Sequence, residues 1–123
     1  MRVLVVDDSS TMRRIIINTL KKIGYEDTCE AGDGLEALKR LAAAPADMVV
    51  TDWNMPEMTG PEFVRELRSM PHFATIPVLM VTTQAAREDV IVALTAGVND
   101  YLIKPFTPDA LKDKLLTLLA PGE

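Results

Sequence analysis

At three places in this 123-residue chain, a short run of apolar and β-branched residues carries no polar alternation: Val3-Leu4-Val5-Val6, Met48-Val49-Val50-Thr51 and Val78-Leu79-Met80-Val81. A strand of this kind puts greasy side chains on both of its faces, so both faces must be covered. The arrangement that does this is a parallel sheet flanked by helices on its two sides. The second run passes directly into Asp52, followed by Trp53-Asn54-Met55-Pro56. Pro56 prevents the strand from continuing, so Asp52 belongs at a rim and not in mid-sheet. In open α/β sheets, the carboxyl ends of the strands form the edge where ligands bind.

The remainder of the chain supplies the other elements in alternation. Asp7-Asp8 halts the first strand, and Ser9, Ser10 or Asp8 can cap a helix in which Met12, Ile16, Leu20 and Ile23 recur at helical spacing up to Gly24. A less apolar second strand around 27–31 reads as an edge. Asp33-Gly34 then caps a helix with Leu35, Leu38 and Leu41 along one face. Thr59-Gly60-Pro61 opens a third helix whose buried face is Phe63, Val64 and Leu67, and 70–75 reads as a loop. Pro77 precedes the fourth strand, which Thr82 closes. A helix over 85–96 comes next, ended by Gly97. Tyr101-Leu102-Ile103 is the fifth strand, and Thr107-Pro108 begins a last helix with Leu111, Leu115 and Leu118 inward. Five strand–helix repeats specify a single-domain α/β fold, a five-stranded parallel doubly wound sheet over residues 1–123.

Composition narrows the function. A formal charge of -5 disfavours nonspecific attraction to nucleic acid or to anionic membrane. The single Cys29 allows no internal disulfide, fits a reducing compartment and reads as a small buried hydrophobe at a strand end. No apolar stretch approaches the ~20 residues a membrane helix needs, and no signal peptide opens the chain, so a cytoplasmic protein is expected.

The chemistry lies in the polar residues at the strand ends. The first strand gives Asp7 and Asp8, the third Asp52, the fourth Thr82 and the fifth Lys104. A parallel sheet crowds all of them onto one edge. Three carboxylates together repel unless a cation sits among them, and Mg²⁺ suits a few carboxylates, phosphate oxygens and retained waters. Lys104 adds a second counter-charge. Phosphoryl transfer asks for positioning and charge stabilisation, and an ionised aspartate needs no base to act as the nucleophile. Asp52 is therefore the candidate phosphoryl acceptor. Taken singly, each residue has a bland reading: a cap, a turn former, a strand threonine, a surface lysine. Their coincidence at four strand ends does not. His72, in a polar loop away from that edge, reads as a surface residue.

The segments Val5-Val6-Asp7-Asp8, Asp52-Trp53-Asn54-Met55-Pro56, Val81-Thr82 and Lys104-Pro105-Phe106, in this order and with these separations, resemble those of a response-regulator receiver domain over essentially the whole chain. Ser10-Thr11-Met12-Arg13-Arg14-Ile15, Trp53 directly after the acceptor and Val78-Leu79-Met80-Val81-Thr82 resemble, more narrowly, the chemotaxis regulators of the CheY type. The resemblance implies the flavodoxin-like strand order 2-1-3-4-5, the order for which CheY itself serves as a reference case. It also implies that Asp52 accepts phosphate from a histidine kinase, of the chemotaxis type. Asp8, Asp52 and the Asn54 backbone carbonyl would hold Mg²⁺, with Asp7 assisting through water. Thr82 would bond the phosphoryl group, Lys104 would pair with it, and Lys104–Pro105 would be cis. Thr82 and Tyr101 would form the switch, Tyr101 turning inward as the loop after the fourth strand moves. A monomer that binds a flagellar motor switch protein or another target, and is subject to a phosphatase, is implied as well. With no output domain expected after the last helix, which runs into Pro121-Gly122-Glu123, output would come through protein binding.

Two departures from the family pattern stand out. Thr83 replaces a smaller residue and would crowd the path of Tyr101. Gln84 replaces an acidic residue at the mouth of the site, where it and Asn54 would influence attack of water on the acyl phosphate. Two alternatives concern signalling and hydrolysis: a phosphorelay intermediate serving a histidine phosphotransfer protein, and a phosphatase of the haloacid dehalogenase type. The latter needs an acid two positions after the nucleophile, where this chain has Asn54. A flavin or nucleotide binder of the same fold would need a glycine-rich phosphate loop that the chain lacks. The expected activity is confined to the protein's own phosphorylation and dephosphorylation.

Overall fold

A computed structural model describes residues 1–119. The elements are β1 (Val3–Val6), α1 (Ser10–Lys22), β2 (Thr28–Ala31), α2 (Gly34–Ala43), β3 (Met48–Thr51), α3 (Gly60–Ser69), a 3₁₀ turn (Pro71–Phe73), β4 (Val78–Thr82), α4 (Arg87–Ala96), β5 (Asp100–Ile103) and α5 (Pro108–Leu119). The strands are parallel in the order β2-β1-β3-β4-β5. The 2-1-3-4-5 order and the α/β class are as expected. The end of the chain at Pro121-Gly122-Glu123 lies outside the described residues.

Burial explains the apolar runs. Alternate residues of β1 serve opposite faces: Leu4 and Val6 join Val49, Phe63, Val64 and Leu67 on the side of α2, α3 and α4. Val3 and Val5 join Ile16, Leu20, Leu111 and Leu115 on the side of α1 and α5. With a helix layer on each side, β1, β3 and β4 are buried throughout, and their two polar residues are partnered: the Thr51 hydroxyl donates to the Asp52 carbonyl and the Thr82 hydroxyl accepts from the Gln84 N–H. The edge strands β2 and β5 are only partly buried and correspondingly more polar.

Local chemistry places the ends of the elements. Ser9 caps α1 and Asp33 caps α2. Thr59 caps α3 in a reciprocal box with Glu62, whose carboxyl is held below the usual range by the Thr59 backbone N–H. The Thr107 hydroxyl accepts from the Ala110 N–H at the start of α5. Gly24 and Gly97 turn the chain with φ of 98° and 116° after α1 and α4.

The structure corrects four details. Leu35 is 44% exposed, and α2 faces inward through Gly34, Ala37 and Leu41. A repeat of three residues drifts about 60° per step around a helix of 3.6 residues per turn, which carries Leu35 out of the stripe that Leu41 occupies. In α5 the fully inward set is Leu111, Leu115 and Leu119, spaced by four, with Leu118 half-buried at its margin. Helix α4 starts at Arg87 and not at 85, with Ala86 extended at its N-cap and no side-chain cap bond. The loop over 70–75 contains the 3₁₀ turn, pinned by the buried Phe73. His72 lies in that turn and is exposed, its ring edge-on to Phe73.

Candidate functional site

The parallel sheet brings the strand ends to one edge, and the ladder bonds hold them there. The Asp7 N–H donates to the Ala31 carbonyl at 3.1 Å, Asp52 N–H to the Val6 carbonyl at 3.0 Å, and Lys104 N–H to the Thr82 carbonyl at 2.8 Å. From these anchors the side chains converge. The Lys104 ammonium donates to Asp7 Oδ2 at 3.0 Å and to Asp52 Oδ2 at 3.1 Å. Carboxylate oxygens of Asp7, Asp8 and Asp52 lie within 4.8 Å of one another. Thr82 is fully buried at the end of β4, while Asp7 and Asp52 are 1% and 7% exposed and Asp8 is open to solvent. The Lys104–Pro105 peptide is cis.

Electrostatics follow from this burial. Burial raises the Asp7 carboxyl, and its bonds from the Ser9 N–H and Lys104 only partly offset that. For Lys104 burial works against the charge, but the bonds to Asp7 and Asp52 outweigh it and leave the ammonium above its ordinary value. One ammonium among three carboxylates leaves two negative charges uncompensated, a setting that a divalent ion neutralises. All the donors are hard oxygens. That set fits Mg²⁺ or Ca²⁺ and not a soft metal. The acidic cluster is thus able to hold a metal.

The mouth of the site is formed by the loops after β3 and β4. Asp52 Oδ1 accepts from the Trp53 N–H at 2.6 Å. Asn54, named from the sequence through its backbone carbonyl, is exposed on the same loop, and its side-chain Oδ1 accepts from Gln84 Nε2 at 3.3 Å. The two residues picked out at the mouth therefore touch across it. The Thr82 hydroxyl accepts from the Gln84 N–H at 3.3 Å, and the Tyr101 hydroxyl donates to the Gln84 carbonyl at 2.7 Å. Thr83 is exposed and does not keep Tyr101 from this contact. Burial, with Asp89 and Asp52 nearby, pushes the Tyr101 phenol up to about 12.

Two contributors escaped sequence reasoning. Gly60 begins α3 so close to the acceptor peptide that a Cβ there would clash with the Asp52 carbonyl oxygen and sit 2.9 Å from Trp53 Cα. Arg13 reaches from α1 to the Asp7 carbonyl at 2.6 Å. Gly60 was legible only as part of a helix start, and Arg13 only as part of the segment Ser10-Thr11-Met12-Arg13-Arg14-Ile15 that carries the resemblance.

The response regulator receiver domain family matches residues 3–116. The chain is 53% identical over 124 residues to chemotaxis protein CheY1 of Helicobacter pylori, covering 100% of both. Chemotaxis response regulator CheY4 of Vibrio cholerae superposes with a TM-score of 0.89 at 39% identity, over 96% of this chain and 98% of that one. The receiver domain of a sensor histidine kinase from Pseudomonas aeruginosa PAO1, described with a magnesium ion coordinated in its active-site cleft, gives 0.85 at 28% identity over 98% of each chain. A parallel 2-1-3-4-5 sheet with three acids, a threonine and a lysine converging at its carboxyl edge, and matches of this extent, make the chain a member of the response regulator receiver domain family.

Proposed function

We propose that this protein is a phosphorylation-activated switch of a two-component system, and that its output is chemotaxis or flagellar motor control. The observation that carries this reading is the Lys104 ammonium bridging Asp7 and Asp52 beside Asp8. A carboxylate oxygen of Asp52 attacks the phosphorus of a phosphohistidine. The N–P bond breaks, an acyl phosphate forms, and the released imidazole nitrogen takes a proton from water. Asp8, Asp52 and the Asn54 carbonyl are the residues that would hold Mg²⁺, with Asp7 assisting through water. The bound ion supplies charge neutralisation at the phosphoryl oxygens. Lys104 pairs with the new negative charge, and the Thr82 hydroxyl turns from the Gln84 N–H toward a phosphoryl oxygen.

That charge, roughly -1.5 to -2, biases the loop after β4. Tyr101, whose hydroxyl is held by the carbonyl of Gln84 in that loop, reports the movement to the face of α4, β5 and α5. A histidine kinase as donor, a motor-switch protein as target, a phosphatase that resets the switch and a cytoplasmic location are inferred from kinship with the CheY relatives. Among the described residues no helix is long and apolar enough to cross a membrane. The chemistry proposed is confined to phosphorylation and dephosphorylation of the protein's own Asp52. With acetyl phosphate and Mg²⁺ the wild type should incorporate one phosphoryl group, and Asp52→Asn none. Labelling of that variant to the wild-type level would remove Asp52 as the acceptor.

A further inference from the structure

We infer that Arg13 is a positioning residue for the divalent cation, acting through the peptide that joins Asp7 to Asp8 and held in place by Glu30 on the edge strand. This inference rests on the metal reading proposed above. Every polar group of Asp7 is engaged. Its N–H donates to the Ala31 carbonyl, its Oδ1 accepts from the Ser9 N–H at 2.9 Å, and its Oδ2 accepts from Lys104 at 3.0 Å. The remaining group, the carbonyl, accepts from Arg13 Nη1 at 2.6 Å. That carbonyl belongs to the Asp7–Asp8 peptide, so its direction sets where the Asp8 side chain leaves the backbone. Asp8 is exposed, and its carboxylate takes its place from this peptide.

The same guanidinium is fixed on its other side. Arg13 Nε donates to Glu30 Oε1 at 2.9 Å, with Arg13 20% and Glu30 51% exposed. A surface pair of this kind contributes little by itself. Its effect here comes from geometry. A planar guanidinium serves an acceptor at each end of its fork, which a lysine cannot do. The arm ties the edge strand to the acidic loop and keeps the carboxylates gathered before the ion arrives. Partners behind metal ligands commonly change affinity by about 10–100-fold, and an arm anchored on a half-exposed Glu30 belongs at or below the bottom of that range. A contrary effect exists, because a positive charge near the site repels the cation. Glu30 neutralises much of it, so positioning should win.

The test is a MgCl₂ titration of the full chain at constant ionic strength, read by the fluorescence of Trp53, whose N–H already bonds Asp52, and repeated by calorimetry. Arg13→Ala should raise the Mg²⁺ dissociation constant about three- to tenfold. Glu30→Ala should raise it less, and the double variant should be no worse than Arg13→Ala alone, since both act through one arm. Arg13→Lys should stay impaired despite its charge. Equal or tighter Mg²⁺ binding by Arg13→Ala, or full additivity in the double variant, overturns the inference. Should Arg13→Ala not fold, the half-exposed Glu30→Ala decides alone, and an unchanged constant is fatal. A wild type that binds no Mg²⁺ by either method sinks the metal reading and this inference together. A wild type that binds, with Arg13→Ala alike, sinks only the role of Arg13.

Discussion

Gly60 shows what a missing side chain does for a site. Its N–H donates to the Trp53 carbonyl at 2.8 Å, closing α3 down onto the acceptor loop. A Cβ would meet the Asp52 carbonyl oxygen, Trp53 Cα and, at 2.8 Å, Met80 Cε. Two of those three atoms are backbone and cannot swing aside. Gly60→Ala should therefore cost about 3 kcal/mol, at the upper end for overpacking. It should also slow acetyl-phosphate labelling, since the displaced peptide carries the nucleophile. Gly24→Ala is the control: it has nothing within 4 Å and only its φ of 98° to strain it. That strain is about 1 kcal/mol. Urea denaturation of the two variants measures the difference, and equal midpoints would refute the crowding at Gly60. The acids were legible as residues because a strand-ending Asp is a local feature. The crowding at Gly60 was not, because it depends on how closely a helix seven or eight residues later returns to the acceptor.

Among the elements, helix α3 and the turn after it separate local from tertiary stabilisation. The Thr59–Glu62 capping box is written in a four-residue stretch and satisfies N–H groups at the helix start. Thr59→Ala should lower stability by about 1 kcal/mol. The 3₁₀ turn Pro71–Phe73 carries no such local signal and reads as loop. It is held by Phe73, 6% exposed in the core, and by Arg68 Nη1, which donates to the Phe73 carbonyl at 2.9 Å. Phe73→Ala should cost about 3 kcal/mol through the cavity it leaves. Thermal unfolding orders the two variants, and a loss at Phe73 no larger than at Thr59 would show the turn to be incidental. Helix α2 makes the same point in reverse. Three leucines suggested a stripe, yet the sheet selected Ala37 and Leu41 and left Leu35 in solvent, because the helical rotation between Leu41 and Leu35 carries the latter off the inward face.

Across the whole molecule, charge and pH connect the site to the stability of the fold. Lys104 is held above its ordinary value by Asp7 and Asp52, so its contribution is complete below the unfolded lysine value of about 10.4 and disappears as pH rises through the folded one. Tyr101, raised to about 12, keeps its proton in the fold while the unfolded phenol loses it near 10, so stability again falls across that interval. Both slopes have the same sign, and the protein should lose stability steadily as pH climbs from about 10 to 12. Tyr101→Phe should flatten part of that slope, and denaturation at stepped pH checks it; an unaltered slope would place the raised phenol elsewhere. Asp7, raised by burial, holds its proton more tightly folded than unfolded. Its contribution therefore grows as pH falls toward the carboxylate range and resists acid unfolding.

The amino-acid order alone determined the parallel sheet, the two covered faces and the set of acids, threonine and lysine at one edge. These depend on features within a few residues: an unbroken apolar run, the residue that ends it, and the alternation with helical spacing. The 2-1-3-4-5 order came through kinship and not through any local pattern. Tertiary structure decided which groups meet and which turn away: Arg13 on the Asp7 carbonyl and Glu30, Gln84 on Asn54, Tyr101 on the Gln84 carbonyl, and Leu35 outward. Those meetings are set by the packing distance and rotation of whole helices and strands against one another. A rotation of one residue, about 100° in a helix, is enough to make or abolish them.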